Sequence, residues 1–208
     1  MSRLLTELSP EVRTCAAGVL EGCATLELDG GVPYFQSAFA AGALLVVEDG
    51  FVVLRASDPA SSRSVITCEA GPGRLLLPPS ADEVLVAIGT ARLTVLDTAA
   101  RAELMRLPVA AERIVDKLVA ALAQKQDASA NLAPTRHVER VRRALMQLAE
   151  TYGHSVRGGI RIDFPISHSL LAEMIASSRE TVTRAIDELQ RAGVVERIGS
   201  TYRLLGVP

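Results

Sequence analysis

Ser167-His168-Ser169-Leu170-Leu171-Ala172-Glu173-Met174-Ile175, Ala176-Ser177, then Ser178-Arg179-Glu180-Thr181-Val182-Thr183-Arg184-Ala185-Ile186-Asp187-Glu188-Leu189 reads as two helices joined by a tight turn. The Ser167 hydroxyl is placed to cap the first helix, whose apolar side is Leu170, Leu171, Met174 and Ile175. Ser178 is placed to cap the second, Arg179 to Ala192; Ser177 is the alternative cap, with Glu180 closing a capping box. Val182, Ile186 and Leu189 form that helix's apolar face, and Gly193 stands where such helices end. Val194 to Ile198 and Thr201 to Leu205 flank Gly199-Ser200 as a small hairpin. Helix, turn, helix and hairpin make a winged helix-turn-helix. In that motif the first residues of the second helix reach base edges in the major groove. The exposed ones here are Arg179, Glu180, Thr183 and Arg184. Arginine can bond guanine at both O6 and N7, and glutamate can accept from the cytosine amino group. As plain surface charges they would amount to little more than a Glu180–Arg184 pair four residues apart. The caps, turn and hairpin around them favour base reading.

Upstream, His137 to Tyr152 is helical, with Val138, Val141, Leu145 and Leu148 inside, and Ile160 to Phe164 alternates like a strand. Asn131-Leu132-Ala133-Pro134-Thr135 is a boundary: Pro134 breaks the preceding helix and Thr135 can cap the next. Pro108 starts a long helix that runs to about Ala130. Its stripe contains Ile114, Leu118, Ala121 and Lys125, with Val115, Leu122 and Ala111 beside them. Such a stripe packs either on its own domain or as a seam with a second copy of the chain, in which Lys125 marks where the seam opens. Asp97 to Arg106 reads as a short helix, and Ser9-Pro10-Glu11 as the capped start of another that reaches about Gly22. Between Thr25 and Leu96 short apolar runs alternate with Gly, Asp and Pro, the texture of a sandwich, roll or barrel. Ala43 to Val47 and Phe51 to Leu54 flank Glu48-Asp49-Gly50, which predicts a hairpin.

The formal net charge of −2 conceals an asymmetry. Residues 1–130 carry 11 basic and 16 acidic side chains; residues 131–208 carry 11 and 8. A basic C-terminal part on an acidic body suits nucleic acid at one end only. Apolar residues make up 49% of the chain and aromatic ones only 3%, so aliphatic side chains must fill the core. No apolar run reaches the roughly 18 residues of a membrane span, and Met1-Ser2-Arg3-Leu4-Leu5 does not read as a signal peptide; a cytoplasmic protein is expected. No phosphate loop, zincin helix, nucleophile elbow or acid pair points to an enzyme.

Leu171-Ala172-Glu173-Met174-Ile175-Ala176-Ser177-Ser178-Arg179-Glu180-Thr181-Val182-Thr183-Arg184 resembles the signature of the cyclic-AMP-receptor-protein/FNR (Crp/Fnr) family of bacterial transcription regulators. Asn131-Leu132-Ala133 with Val141 to Leu148 is similar to the family's junction between dimer helix and DNA domain, and Phe39-Ala40-Ala41-Gly42 through Val52 to its β-roll. The resemblance implies an α+β chain: a cyclic-nucleotide-binding-like β-roll (1–107), a dimerisation helix (108–131) and a winged helix-turn-helix (132–208). It implies a homodimer on double-stranded DNA, with Arg179, Glu180 and Arg184 reading bases of a TGTGA-like inverted repeat and Ser167, His168, Ser169 and Ser178 on phosphates. The seam would use Ile114, Val115, Leu118, Ala121, Leu122 and Lys125. The angle at Asn131–Thr135 would set the spacing of the two reading helices. The resemblance also admits RNA polymerase as a partner. Ala176 stands where the family's turn usually has Gly, which predicts a strained turn.

Family members that bind cyclic nucleotides carry Gly-Glu for the ribose and Arg-Ser for the phosphate. Here Gly73-Arg74 and Asp82-Glu83 stand at those places, and Lys125-Gln126 at the pair that helps hold the base. A cyclic phosphate would meet carboxylates instead of a guanidinium. No cofactor is expected, and the effector is unknown or absent. An iron–sulfur cluster takes four cysteines, whereas the chain has Cys15, Cys23 and Cys68. Cys15 and Cys23 read as small apolar residues or as a redox pair. His137, His154 and His168 are too dispersed for a metal site. The second function class open to such a chain is an architectural DNA-binding dimer whose roll takes a protein partner.

Overall fold

The computed structural model describes residues 10–58, 63–130, 133 and 136–206. Helix α1 (Pro10–Glu21) leads into β1 (Ala24–Leu28), β2 (Pro33–Tyr34), a short 3-10 turn (Gln36–Ala38), β3 (Leu44–Asp49), β4 (Val52–Asp58), β5 (Arg63–Ala70), β6 (Leu75–Leu76), β7 (Glu83–Ala87) and β8 (Ala91–Leu96). Helices α2 (Thr98–Leu104), α3 (Pro108–Ala130) and α4 (His137–Tyr152) follow, then β9 (Gly153–Val156), β10 (Gly159–Ile162), α5 (His168–Met174), α6 (Arg179–Arg191), β11 (Val195–Ile198) and β12 (Thr201–Leu205). The mixed α+β class is as the sequence implied. The chain divides into one unit of residues 1–56 and 67–126 and another of 57–66 and 127–208.

In the first unit the strands form two sheets, ordered β1-β8-β3-β6 and β2-β7-β4-β5. The hairpin expected around Glu48-Asp49-Gly50 does not form. β3 pairs with β8 and β6, while β4 pairs with β7, so the chain changes sheet at this corner. Gly50 has φ 79, and a Cβ there would lie 2.3 Å from the Thr90 carbonyl oxygen. The sequence carried a warning in its lack of alternation. Leu44 to Val47 and Phe51 to Leu54 are buried throughout, which a one-sided hairpin does not require. On β3, Leu45 and Val47 enter one core cluster with Val52, Leu54, Leu85 and Leu93; Leu44 and Val46 enter a second with Ala16, Leu20, Leu96, Leu104 and Ile114.

That second cluster decides how α3 is used. Ile114 is 2% exposed within it, and Leu118 packs against it. Ile114 is therefore core of its own chain and corrects the seam expected from the sequence. Three polar side chains fasten the same side of the helix. Lys117 Nζ donates to the Gly73 carbonyl (2.7 Å) and Gln124 Nε2 to the Glu69 carbonyl (2.8 Å). Lys125 Nζ lies 3.6 Å from Glu83 Oε1, so Lys125 is an anchor to the β-roll and not the open end of a seam. Val115, Val119 and Leu122, at 48, 59 and 59% exposure, make a separate apolar line. Val119, outside the stripe expected from the sequence, belongs to that line.

Glu83 receives bonds from Thr67 Oγ1 (2.5 Å), Ser80 N (3.1 Å) and Ser80 Oγ (2.9 Å). Burial pushes its carboxyl up, but these donors and Lys125 outweigh it and hold the group below its ordinary value. Cys68 is buried in the inter-sheet core, which pushes its thiol up to about 12; that is a core residue, not a reactive one. Cys23, just beyond α1, is a free thiol that donates to the Val19 carbonyl of that helix (3.3 Å). Ser9 and the Cys15 side chain lie outside the described residues.

In the second unit α4 buries Val141, Ala144, Leu145, Leu148 and Ala149. Its N-cap is Arg136, with no side-chain bond, in place of the expected Thr135. Asn131, Leu132, Pro134 and Thr135 lie outside the described residues; Ala133 is exposed. β9, unseen in the sequence, pairs with β10 and completes a sheet ordered β11-β12-β10-β9. No helix among the described residues is long and apolar enough to cross a membrane.

The two faces of α3 should respond differently to substitution. Ile114→Ala is expected to cost about 2–5 kcal/mol of unfolding free energy, the usual range for such a truncation in a core. Val119→Ser should change it by less than about 0.5 kcal/mol at concentrations where the chain is monomeric. Urea denaturation of both variants measures this.

Candidate nucleic-acid interface

α5 starts where Ser167 Oγ accepts from Leu170 N (3.0 Å), and it buries Leu170, Leu171, Ala172 and Met174. It ends in a two-bond turn. Ser177 N donates to Ala172 O (2.9 Å) and Ala176 N to Glu173 O (3.5 Å), a Schellman motif. The residue at its left-handed position is Ala176, at φ 50, the only described non-glycine with positive φ. α6 ends in the same motif, with Gly193 N bonded to Gln190 O (3.0 Å), Val194 N to Leu189 O (3.0 Å), and Gly193 at φ 67. One chemical problem is thus solved twice, once with glycine and once with a methyl group under strain.

Ser178 caps α6: its Oγ accepts from Thr181 N (3.2 Å). The alternative, Ser177 with a capping box, does not occur. Ser177 Oγ instead lies 3.3 Å from His137 Nδ1. Val182, Ala185, Ile186 and Leu189 bury one face of α6 against α4 and α5. That orientation leaves Arg179, Glu180 and Arg184 exposed on the first turn and a half. Glu180's own backbone N–H and the Ser178 hydroxyl hold its carboxyl below the ordinary value, and Arg179 and Arg184 add to this. Glu180 is therefore a carboxylate, an acceptor only. Arg184 Nη2 touches Thr181 Oγ1 at 3.4 Å. Ser169 is exposed beside Ser167 at the start of α5.

Two expected site residues behave differently from the rest. Thr183 is half-buried, and its hydroxyl donates to the Arg179 carbonyl (2.9 Å). His168 Nδ1 lies 2.8 Å from the same Thr183 Oγ1. Burial lowers the His168 pKa, and the charges of Arg197 and Arg179 lower it further. Arg197, on β11, is the residue missed at the sequence level. It faces the side of the sheet that carries Val195 and Tyr202, opposite Tyr202 in register. The strand alternation Val195-Glu196-Arg197 contained that signal. Its Nε donates to Gly199 O (3.0 Å), which ties the arginine to the hairpin turn.

The other face of this sheet is electrically balanced. His154, Arg161, Arg203 and Glu196 line up across the four strands. Arg203 pairs with Glu196, Arg161 Nε with Asp163 (3.2 Å), and His154 Nδ1 lies 2.7 Å from Asp163. Among the described residues none of Arg179, Arg184 and Arg197 forms an ion pair. Arginines not held in ion pairs beside the start of α6 suit contact with phosphates and bases. Among the described residues no group of three or more His, Cys, Asp or Glu could hold a metal.

The family model described as "Crp-like helix-turn-helix domain" matches residues 139–207. A "CRP-like cAMP-activated global transcriptional regulator" of Mycobacterium tuberculosis is 27% identical over 94 residues, 45% of this chain. The match spans 42% of that relative's length. A cyclic nucleotide-binding domain containing protein from Listeria monocytogenes has a TM-score of 0.77 at 14% identity, covering 93% of this chain and 97% of that one. A mutant CooA from Carboxydothermus hydrogenoformans gives 0.74 at 16%, covering 91% and 86%. CLP of Xanthomonas campestris, described as a c-di-GMP responsive global regulator, gives 0.67 at 20%, covering 92% and 100%. These likenesses show the fold.

Ala176→Gly should stabilise the chain. Relief of the left-handed methyl returns about 1–2 kcal/mol, and greater freedom of the unfolded chain takes back about 0.4–1 kcal/mol. A small rise in the midpoint of thermal unfolding is the expected result, measured by circular dichroism.

Proposed function

We propose that this chain, a Crp-like transcription regulator with a helix-turn-helix DNA-binding domain in the Crp/Fnr fold, acts as a homodimer on an inverted repeat and needs no cyclic AMP. The observation that carries the DNA reading is the start of α6. Ser178 caps it, Arg179 and Arg184 form no ion pair among the described residues, and Glu180 is held as a carboxylate. Arg179 and Arg184 each have the donor fork for guanine, and Glu180 has the acceptor for cytosine. Ser167, Ser169, Ser178 and Arg197 supply polar and cationic groups toward phosphates on either side. A TGTGA-like half-site is the sequence such a set would read, by the resemblance.

Val115, Val119 and Leu122, spaced four and three apart and exposed in the single chain, support a seam with a second copy along α3. A two-fold dimer would present two α6 helices about 34 Å apart, one helical turn of DNA. The relatives are regulators, and DNA binding with RNA polymerase contact in the cytoplasm is the corresponding role. Independence from cyclic AMP is supported by Glu83, whose carboxylate is already held by Thr67, Ser80 and Lys125. Asp82 stands exposed beside it, so a bound phosphate would face negative charge.

Fluorescence anisotropy at fixed near-physiological salt tests this reading. Nucleotide-free protein should prefer a TGTGA inverted repeat over scrambled DNA, and added cyclic AMP should change nothing. Arg184→Ala should lower that preference roughly 5- to 150-fold, the value of one good base contact. Equal, tight binding to both duplexes would favour an architectural role.

The dimer has its own test. Val119→Glu with Leu122→Glu should convert a dimer to a monomer in analytical ultracentrifugation and weaken DNA binding with it. A wild-type chain that sediments as a monomer at micromolar concentration would refute the seam.

A further inference from the structure

The proposal here rests on the DNA-reading role above and assigns a different part in it to His168. We infer that His168 is a positioning residue that locks the first turn of α6 through Thr183, and that it does not bind phosphate.

Thr183 Oγ1 carries a single hydrogen, and that hydrogen goes to the Arg179 carbonyl at 2.9 Å. His168 Nδ1 stands 2.8 Å from the same oxygen, so Nδ1–H must be the donor between them. A neutral imidazole has one N–H. With that proton on Nδ1, Nε2 is a bare acceptor, and it is buried with no hydrogen-bond partner among the described residues. Nothing on the ring is left to donate to a phosphate oxygen. Protonation of Nε2 is opposed by burial, by Arg197 from β11 and by Arg179 from α6; Asp187 of α6 acts weakly the other way.

The bonds run from the first residue of α5 to Thr183 and then to the backbone of Arg179, the first residue of α6. The cap at Ser178 and the His168 lock therefore hold the same turn from two sides. That turn carries Arg179 and Glu180. Its orientation decides whether their side chains meet base edges squarely, so the lock belongs to specificity more than to affinity. The Thr183 hydroxyl is consumed by the lock, which takes it out of the base-reading set.

Asparagine at position 168 places an amide N–H close to where Nδ1 stands, whereas alanine places none, so the pair His168→Asn and His168→Ala separates the lock from the ring. Two measurements need no DNA. Imidazole nitrogen NMR should find the His168 proton on Nδ1; a proton on Nε2 would overturn the inference. Amide exchange in the first turn of α6 should accelerate roughly 2- to 12-fold in His168→Ala, the loss of one net hydrogen bond. It should stay near the wild-type rate in His168→Asn, and equal exchange in all three proteins would also overturn it. On DNA, His168→Ala should lower the specific-to-nonspecific ratio and leave the salt dependence of affinity unchanged, with His168→Asn restoring the ratio. A salt slope shallower by about 1 with an unchanged ratio is the signature of a lost phosphate contact and would overturn the inference. A wild type with no sequence preference at all would remove the DNA-reading role and the specificity claim with it. The two DNA-free readouts would still decide whether the lock exists.

Discussion

The backbone has two residues, Ala176 and Ser177, in which to leave α5 and reach the cap of α6. It manages this only by placing Ala176 in the left-handed region and closing both bonds of a Schellman turn. Everything the DNA domain presents follows from that short connection. It sets the angle at which Val182, Ile186 and Leu189 meet α4 and α5. It thereby decides which residues of α6 are left outside. The cost of an alanine at this angle is on the order of 1 kcal/mol, small beside the burial that two helices gain by packing in this orientation. The turn therefore holds with alanine in it.

Polar groups refine what packing sets. Ser167 and Ser178 each satisfy one of the first amides of a helix. His168 and Thr183 add a bond between the two helices that neither cap provides. Carboxylates are distributed with the same effect. Asp163 and Glu196 neutralise the arginines on one face of the wing sheet, while Arg197 on the other face keeps its charge beside α5 and α6.

Helix α3 shows the same economy in the β-roll. One side is bound by Ile114 in the core and by Lys117, Gln124 and Lys125 on the strands and turns. The other leaves Val115, Val119 and Leu122 uncovered. Glu83 joins β5, the turn before β7 and α3 through one carboxylate. The roll therefore holds its helix with groups that belong to the chain itself.

The helix-turn-helix was legible because its signals are local. Caps, apolar spacing and a turn act within a few residues, and Ser167, Ser178, Val182 and Gly193 each state their part without reference to the rest of the chain. Arg179, Glu180 and Arg184 followed, since a helix whose inner face is known has a known outer face. What only tertiary structure decided involves partners distant in sequence. The corner at Gly50 looks like a hairpin in sequence because turn residues announce a reversal and not which sheet the next strand joins. The stripe on α3 divided into a bound side and a free side only when the core fixed its rotation. Arg197 and the His168–Thr183 lock lie beyond local reading for the same reason: they depend on where the wing and two helices meet. Hydrogen-bond partners 15 residues apart leave no periodic trace in a sequence.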